Sequence, residues 1–314
     1  MIPAPHRVLI VGAGPAGIAL RMWLHNLAVP THWVCADSCV GGTLQRVGNP
    51  IHVYPGVPAE HGPDLIRAFT AHLTSLGLFP AYGLEVTALL QDGDRFWVHT
   101  SGGRDAAEIG TEPFQVVALA TGTRPRRLGL PHEEELLGRG VEVSVTRRRV
   151  SYQGQEVAVV GGGDAACEGA LLLAPLARHV HLIHRTGKLR AQRRFVDALA
   201  DCPNVTLHWN RSVTALLVDC NAQELQGVSL TGGETIPCTG LFVRIGVEGR
   251  MPTISPDIAR AADGTPRCSA DGSTAVPGIY LCGDVRGEAH QSVLAAMGHA
   301  SQSAQAIQRY LGLR

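Results

Sequence analysis

Short unbroken apolar runs alternate along this chain with stretches whose apolar residues return every three or four positions. Val8-Leu9-Ile10-Val11 is the first such run. Four consecutive apolar residues predict a strand buried on both faces, and Ile18–Leu24 behind it reads as a helix. The alternation continues with a strand over Thr31–Ala36 and a helix over Pro63–Gly77. Tyr82–Thr100 predicts two strands that turn at Asp92–Asp94, and Phe114–Ala120 a further buried strand. A second series opens with a strand at Val157–Val160 and a helix at Ala165–Leu173. It runs on through Val180–His184 (strand), Leu189–Leu199 (helix) and Val205–Trp209 (strand). Paired strands within Ala215–Leu230 and a short strand at Leu241–Ile245 end it. Gly278–Asp284 predicts a last strand, and Ser292–Leu311 a long closing helix. Thr123–Gly140 lies between the two series. It is rich in Arg, Pro and Gly and reads as a crossover between domains. The fold class is α/β.

The first strand runs directly into Gly12-Ala13-Gly14-Pro15-Ala16-Gly17. In a strand–GxGxxG–helix unit the first glycine makes the tight turn and the second lets the backbone approach a pyrophosphate. The third lets helix pack on strand. The helix N-terminus adds free N–H groups and the positive end of a dipole. Asp37, 25 residues after Gly12 and just past the second strand, stands where an acid bonds a ribose hydroxyl. The device returns at Gly161-Gly162-Gly163-Asp164-Ala165-Ala166, with GxGxxA spacing. Two such turns predict two nucleotide sites, the layout of a flavoprotein that passes electrons between two cofactors.

Composition narrows the class. The chain has 314 residues, 45% hydrophobic and 17% charged, with zero formal net charge. That describes a globular protein of two ordinary domains, with no global field to attract nucleic acid or an anionic membrane. The N-terminus lacks the basic region and cleavage site of a signal peptide, and no run of about 18 apolar residues is present to span a membrane. The eight cysteines stand at 35, 39, 167, 202, 220, 238, 268 and 282, with no CxxC among them. Scattered cysteines in a chain this long are expected as mostly buried thiols in a reducing cytoplasm. The histidines show no metal-ligand spacing.

Taken together, several motifs resemble the low-molecular-weight thioredoxin reductases almost end to end. They are GAGPAG at 12–17, Gly41-Gly42 with Leu44, Tyr54-Pro55-Gly56 and Ala120-Thr121-Gly122. They continue with LGLPHEEELLGRGV at 128–141, EVAVVGGGDAA at 156–166, HR…LRA at 184–191, Gly246, Cys282-Gly283-Asp284 and His290-Gln291-Ser292. The resemblance implies two Rossmann-like dinucleotide-binding domains, the second inserted in the first. Residues 1–122 and 249–314 would bind FAD, and 123–248 a pyridine nucleotide. Gly12, Gly14 and Gly17, with Pro15 and Ala16, would hold the FAD pyrophosphate. Gly41, Gly42, Thr43 and Leu44 would border the flavin, with Thr121 and Gly122 nearby. Asp284, after Gly283, would bond the ribityl or pyrophosphate region. Gln291 and Ser292 would face the flavin's carbonyl edge. Read from position alone, His52, His290 and His299 are candidate proton relays, His290 first because it immediately precedes Gln291. A homodimer is expected by the same analogy.

The sequence departs from the family at one point. Ungapped alignment puts the family's CxxC cysteines at Ser144 and Arg147, so the usual thiol relay is missing. Three readings follow. The flavin exchanges electrons directly with an external carrier, as in the ferredoxin–NADP reductases of this fold. Alternatively, Cys35 and Cys39, the only close pair, form a different redox-active disulfide beside Gly41-Gly42, which a bent loop permits. In the third reading the second pocket seats a second FAD, as in a diflavin variant of the family from oxygenic photosynthetic bacteria. The favoured activity is dithiol/disulfide redox through flavin, with Cys35 and Cys39 as the site; the alternatives are an NADPH-dependent ferredoxin or flavin reductase and a non-catalytic redox sensor that keeps FAD for structure.

The second pocket lacks an acid after its second strand and offers His184, Arg185 and Arg190, cations that suit a 2′-phosphate. Relatives that use NADPH show HRRxxxR, and here the middle Arg is Thr186. NADPH and a second FAD both stay open as its ligand, held by Gly161, Gly163, Asp164, Ala165 and Ala166. Arg147–Arg149 fits a pyrophosphate or an acidic carrier such as ferredoxin. The partner expected is a small redox protein or a thiol/disulfide substrate.

Overall fold

The computed structural model describes residues 7–48, 50–102, 109–221, 223–288 and 291–313. The chain divides into two compact units, Met1–Arg124 with Glu248–Arg314, and Pro125–Val247. Each is built on its own parallel sheet, so the α/β class expected from the alternation is the class observed.

In the first unit β1 (Val8–Val11) lies at the centre of a five-stranded sheet. β2 (Thr31–Cys35) and then β3 (Ala81–Tyr82) flank it on one side, β6 (Val116–Leu119) and β18 (Ile279–Leu281) on the other. Ile10 pairs with Trp33 and with Ala118. The unbroken apolar run is explained by burial on both faces. Val8 and Ile10 pack with α1 (Pro15–Asn26), α2 (Gly62–Leu76) and the long C-terminal helix Val293–Tyr310. Leu9 and Val11 pack instead on β4 (Glu85–Asp92), β5 (Arg95–Ser101) and β17 (Thr253–Ser255), which form a second sheet. The turn expected at 92–94 is present, with Gly93 at φ 61°. α1 begins three residues earlier than its apolar periodicity predicts, because Pro15 suits a first helical position.

The second unit repeats the plan. β9 (Glu156–Val160) is central to a parallel sheet in the order β11-β10-β9-β15-β8. These strands are Val205–Trp209, His179–His184, β9, Gly240–Val243 and Val141–Glu142. The helix that follows β9 is Asp164–Leu173, numbered α4 after the short α3 (Val145–Arg148). The paired strands expected over 215–230 are β12 (Val213–Val218) and β13 (Leu225–Leu230), with β14 (Thr235–Pro237) added to them.

Two expectations change. The helix expected over 189–199 is α5, Arg193–Ala200. Residues 190–192 stay outside the helix because Arg190 N–H donates to the Gly162 carbonyl (2.7 Å) and Gln192 N–H to the Asp164 carboxylate (2.7 Å). Most of the expected crossover 123–140 packs into the second unit. Leu136 is fully buried there, and the buried Glu133 carboxylate accepts N–H bonds from Leu128 (2.9 Å) and Gly129 (2.8 Å).

Candidate functional site

The two glycine turns share one geometry. At Gly12 (φ 105°) an added Cβ would stand 2.4 Å from the Ala120 carbonyl oxygen, and at Gly17 it would stand 2.0 Å from the Gly12 carbonyl oxygen. No side chain fits either place. At Gly14, by contrast, nothing lies within 4 Å. In the second unit a Cβ at Gly161 would meet the Arg244 carbonyl oxygen at 2.3 Å, while Gly163 again has nothing within 4 Å. In each turn the outer positions are closed by packing and the middle glycine opens onto free space. That is what close approach of a pyrophosphate requires.

In the first unit this space is a cavity of about 340 Å³. Gly12, Gly14, Pro15 and Ala16 form one wall, and Gly42, Thr43 and Leu44 another. Thr121 and Gly122 close it beside Asp37. Gly17, Gly41 and Gly283 do not line it but support it from behind. Gly41 N–H donates to the Ala13 carbonyl (2.7 Å), and Gly283 abuts Ala16, where a Cβ would come within 2.6 Å of the Ala16 Cβ. Asp284 also faces the cavity. Burial pushes its carboxyl above the usual range, and no protein side chain or backbone N–H bonds it among the described residues. Gln291 and Ser292 line the same space where the C-terminal helix, α6 (Val293–Tyr310), begins. The Ser292 side chain caps that helix by accepting from Ala295 N–H (3.1 Å). His290 lies outside the described residues. Sequence reasoning missed Arg250 and Glu85, which line the cavity as an ion pair at 2.7 Å.

Cys35 and Cys39 flank Asp37 and are unbonded thiols, as are the other six cysteines. Four of the eight are buried: Cys35, Cys167, Cys238 and Cys282. Cys35 lines the cavity, and its thiol donates towards the Cys39 carbonyl oxygen at 3.9 Å. Burial pushes Cys35 above the usual thiol range. Cys39 is exposed and does not line the cavity.

In the second unit Asp164 is the first residue of α4, and its carboxylate accepts from both the backbone and the side chain of Gln192 (2.7 and 2.6 Å). The backbone bond from Gln192, then the side-chain one, holds it below the usual carboxylate range. Ala165 is exposed and Ala166 is buried behind Gly161. His184 is buried under the turn. A Cβ on Gly162 would collide with its ring at 2.2 Å, and its Nε2 lies 2.9 Å from Thr186 Oγ1 and 3.0 Å from the Lys188 carbonyl. It therefore supports the turn from inside. Arg185 and Arg190 are exposed, and among the described residues no side chain or carbonyl pairs with either guanidinium.

Ser144 precedes α3 and Arg147 lies within it, exposed. Nearby, the buried Glu142 carboxylate accepts from Arg148 Nε (2.9 Å) and the Tyr152 hydroxyl (3.0 Å). Burial, reinforced by Glu142, raises the Tyr152 phenol far above its usual range. Among the described residues no cluster of His, Cys, Asp or Glu is arranged to hold a metal, and no helix is long and apolar enough to cross a membrane.

Two Rossmann-like units, each with an open glycine turn at the end of its central strand, define the class of two-dinucleotide oxidoreductases. Residues 6–304 match the family described as "Pyridine nucleotide-disulphide oxidoreductase", and the chain belongs to it: it is a thioredoxin reductase-like flavoprotein oxidoreductase. A thioredoxin reductase of Listeria innocua is 29% identical over 309 residues, covering 97% of this chain and 93% of that protein. A thioredoxin reductase of Treponema pallidum is 29% identical over 307 residues, covering 97% and 96%. The crystal structure of Lactococcus lactis thioredoxin reductase superposes with a TM-score of 0.80 at 26% identity, over 98% of this chain and all of that one.

Proposed function

We propose that the chain holds FAD in the first-unit cavity and catalyses electron exchange with a dithiol/disulfide substrate by a route that does not use a CxxC. The observation that carries this is the meeting of open Gly14 and unpartnered Asp284 on one cavity. A half-buried carboxylate that lines the cavity without a protein donor fits a ligand hydroxyl, such as one on a ribityl chain. Gly12, Gly14 and Gly17 with Pro15 and Ala16 would seat the pyrophosphate, and Asp37 the adenosine ribose. Gly42, Thr43, Leu44, Thr121 and Gly122 form the walls, backed by Gly41 and Gly283. The N–H groups at Gln291 and Ser292, with the positive end of α6, would stabilise negative charge on the ring, and His290 is the proton relay in this reading. When bound, FAD supplies a centre that accepts or gives two electrons. The FAD domain is then 1–122 with 249–314, and the second dinucleotide domain 123–248.

In the second domain Gly161, Gly163, Asp164, Ala165 and Ala166 would cradle a pyrophosphate, with His184 behind the turn. Arg185 and Arg190 would take a further phosphate of NADPH or the adenosine end of a second FAD. The route to the disulfide is either Cys35 with Cys39 or direct contact between cofactor and substrate. Asp37 stands between the two cysteines, at the ribose end of a dinucleotide site, and this favours direct contact. The partner is a small redox protein or a thiol/disulfide compound met by a homodimer in the cytoplasm. Arg147 and Arg149 would suit an acidic, ferredoxin-like carrier.

Denaturing the purified protein and quantifying released FAD tests the reading. Two FAD per chain assign the second domain to a flavin. One per chain leaves that domain to NADPH, and stopped-flow reduction by NADPH should then be fast. A protein purified and reconstituted without bound FAD would overturn the proposal.

A further inference from the structure

Arg244 was not singled out by any motif. It follows β15 directly, and its N–H donates to the Val160 carbonyl at the end of β9 (2.8 Å). Its own carbonyl closes the Gly161 turn. Its side chain lies between two backbone carbonyls, with Nη1 2.7 Å from that of Val143 and Nε 3.4 Å from that of Ala165 in the first turn of α4. Nη2 has no protein partner among the described residues. Among the same residues no carboxylate forms an ion pair with it. Glu168 is close enough to be felt electrostatically, but burial prevails and lowers the guanidinium's pKa below its usual value.

This is a costly place for a cation. Two carbonyl acceptors can be served by a neutral donor such as Gln, whereas a partly buried charge without a counterion loses hydration and gains no partner. The site adds to the strain, because the first turn of α4 already carries the positive end of a helix dipole. Ligands of open parallel sheets bind outside the carboxyl ends of the strands, and Arg244 stands at the carboxyl end of the strand beside β9. The missing counterion is therefore an anion that arrives with the ligand.

We propose that Arg244 is a phosphate-binding residue of the second unit, pairing through its free guanidinium edge with the pyrophosphate of the dinucleotide bound at the Gly161 turn. The inference rests on the dinucleotide reading of that unit and adds a cation on the β15 side, opposite the β10 side that carries Arg185. Arg185 would sense an extra phosphate on the ribose. Arg244 senses the pyrophosphate that every dinucleotide shares.

The test is calorimetric titration of the FAD-loaded protein with NADPH, NADH and ADP-ribose, for wild type and the variants R244Q, R244K and R185Q. R244Q keeps N–H donors for the two carbonyls and removes the charge. R244Q should weaken all three ligands by about tenfold, the scale of one charge-assisted bond. R244K should recover part of the loss, and R185Q should weaken NADPH alone. If the wild type carries two FAD per chain, R244Q should release one of them and R244K fewer. Melting temperature and the remaining FAD report whether each variant is folded. Equal binding by R244Q and R244K, or a loss confined to NADPH, would overturn the proposal for Arg244. A wild-type protein that releases one FAD and binds none of the three ligands would instead overturn the dinucleotide reading of the second unit, and this inference with it.

Discussion

The indole Nε1 of Trp33 donates to the carbonyl oxygen of Gly12 at 2.9 Å. Trp33 is buried on β2, one strand away from the turn. Its bond fixes the peptide that the whole glycine turn pivots on. Trp33→Phe keeps most of the packing and leaves that carbonyl without its donor. A loss of about 1–3 kcal/mol is expected, read as a lower denaturant midpoint together with weaker FAD retention.

The glycine turn predicts a separation between folding and binding. Gly17→Ala places a methyl 2.0 Å from the Gly12 carbonyl oxygen and should destabilise the protein outright. Gly14→Ala meets nothing within 4 Å, and its backbone (φ −74°) suits an L-residue. It should fold with an apoprotein melting temperature near wild type and yet fail to retain FAD. Equal FAD content in Gly14→Ala and wild type would refute the pyrophosphate assignment.

Asp284 predicts a pH effect. Its carboxyl is raised in the folded apoprotein. A raised carboxyl adds stability below its unfolded pKa, and that contribution is lost as pH rises through its folded pKa. At neutral pH the charged Asp284 therefore opposes folding of the apoprotein. Asp284→Asn should raise the apoprotein melting temperature at pH 7, and the gain should disappear in acid. The same variant should bind FAD more weakly. Thermal melts across the acid range, with and without FAD, check both signs.

Thiol labelling distinguishes the two cysteines. Cys35 is buried with its pKa raised by that burial, and Cys39 is exposed. Brief alkylation at pH 7 should modify Cys39 and leave Cys35 intact by mass spectrometry. The C35S/C39S double variant should keep disulfide turnover if substrate meets the cofactor directly. Complete loss of turnover with FAD still bound would restore the cysteine pair as the route.

Glu142 is nearly fully buried, and its charge is met by Arg148, whose side chain is 42% exposed. Arg148→Met should cost about 1–3 kcal/mol, less than breaking a fully buried pair because solvent screens the guanidinium. Urea denaturation reads it.

The glycine turns were legible from sequence because their physics is local. A tight turn and a helix start dictate their residues within six positions. The late start of α5 was not legible. It is set by a bond from Gln192 to Asp164, 28 residues away, which no helical periodicity records. Arg250 and Glu85 escaped for the same reason, since 165 residues separate them along the chain. Arg244 sits at a strand end, where an arginine carries no pattern, and only its lack of a counterion marks it. His184 was read as a ligand-facing cation, but the ring lies beneath the glycine turn, because glycine at 162 leaves room for it.

The first unit is drawn from both ends of the chain, and this orders events during synthesis. β1 and its glycine turn leave the ribosome before the second unit is made, and Asp284, β18 and α6 only after it. The intervening unit, continuous from Pro125 to Val247, is complete before them and can fold while the chain still grows. Cofactor loading on the first unit is thus a post-translational step. Until β18 is made, the β6 edge that it covers stands unpaired, so the first unit waits through the synthesis of the whole second unit with one edge of its sheet open.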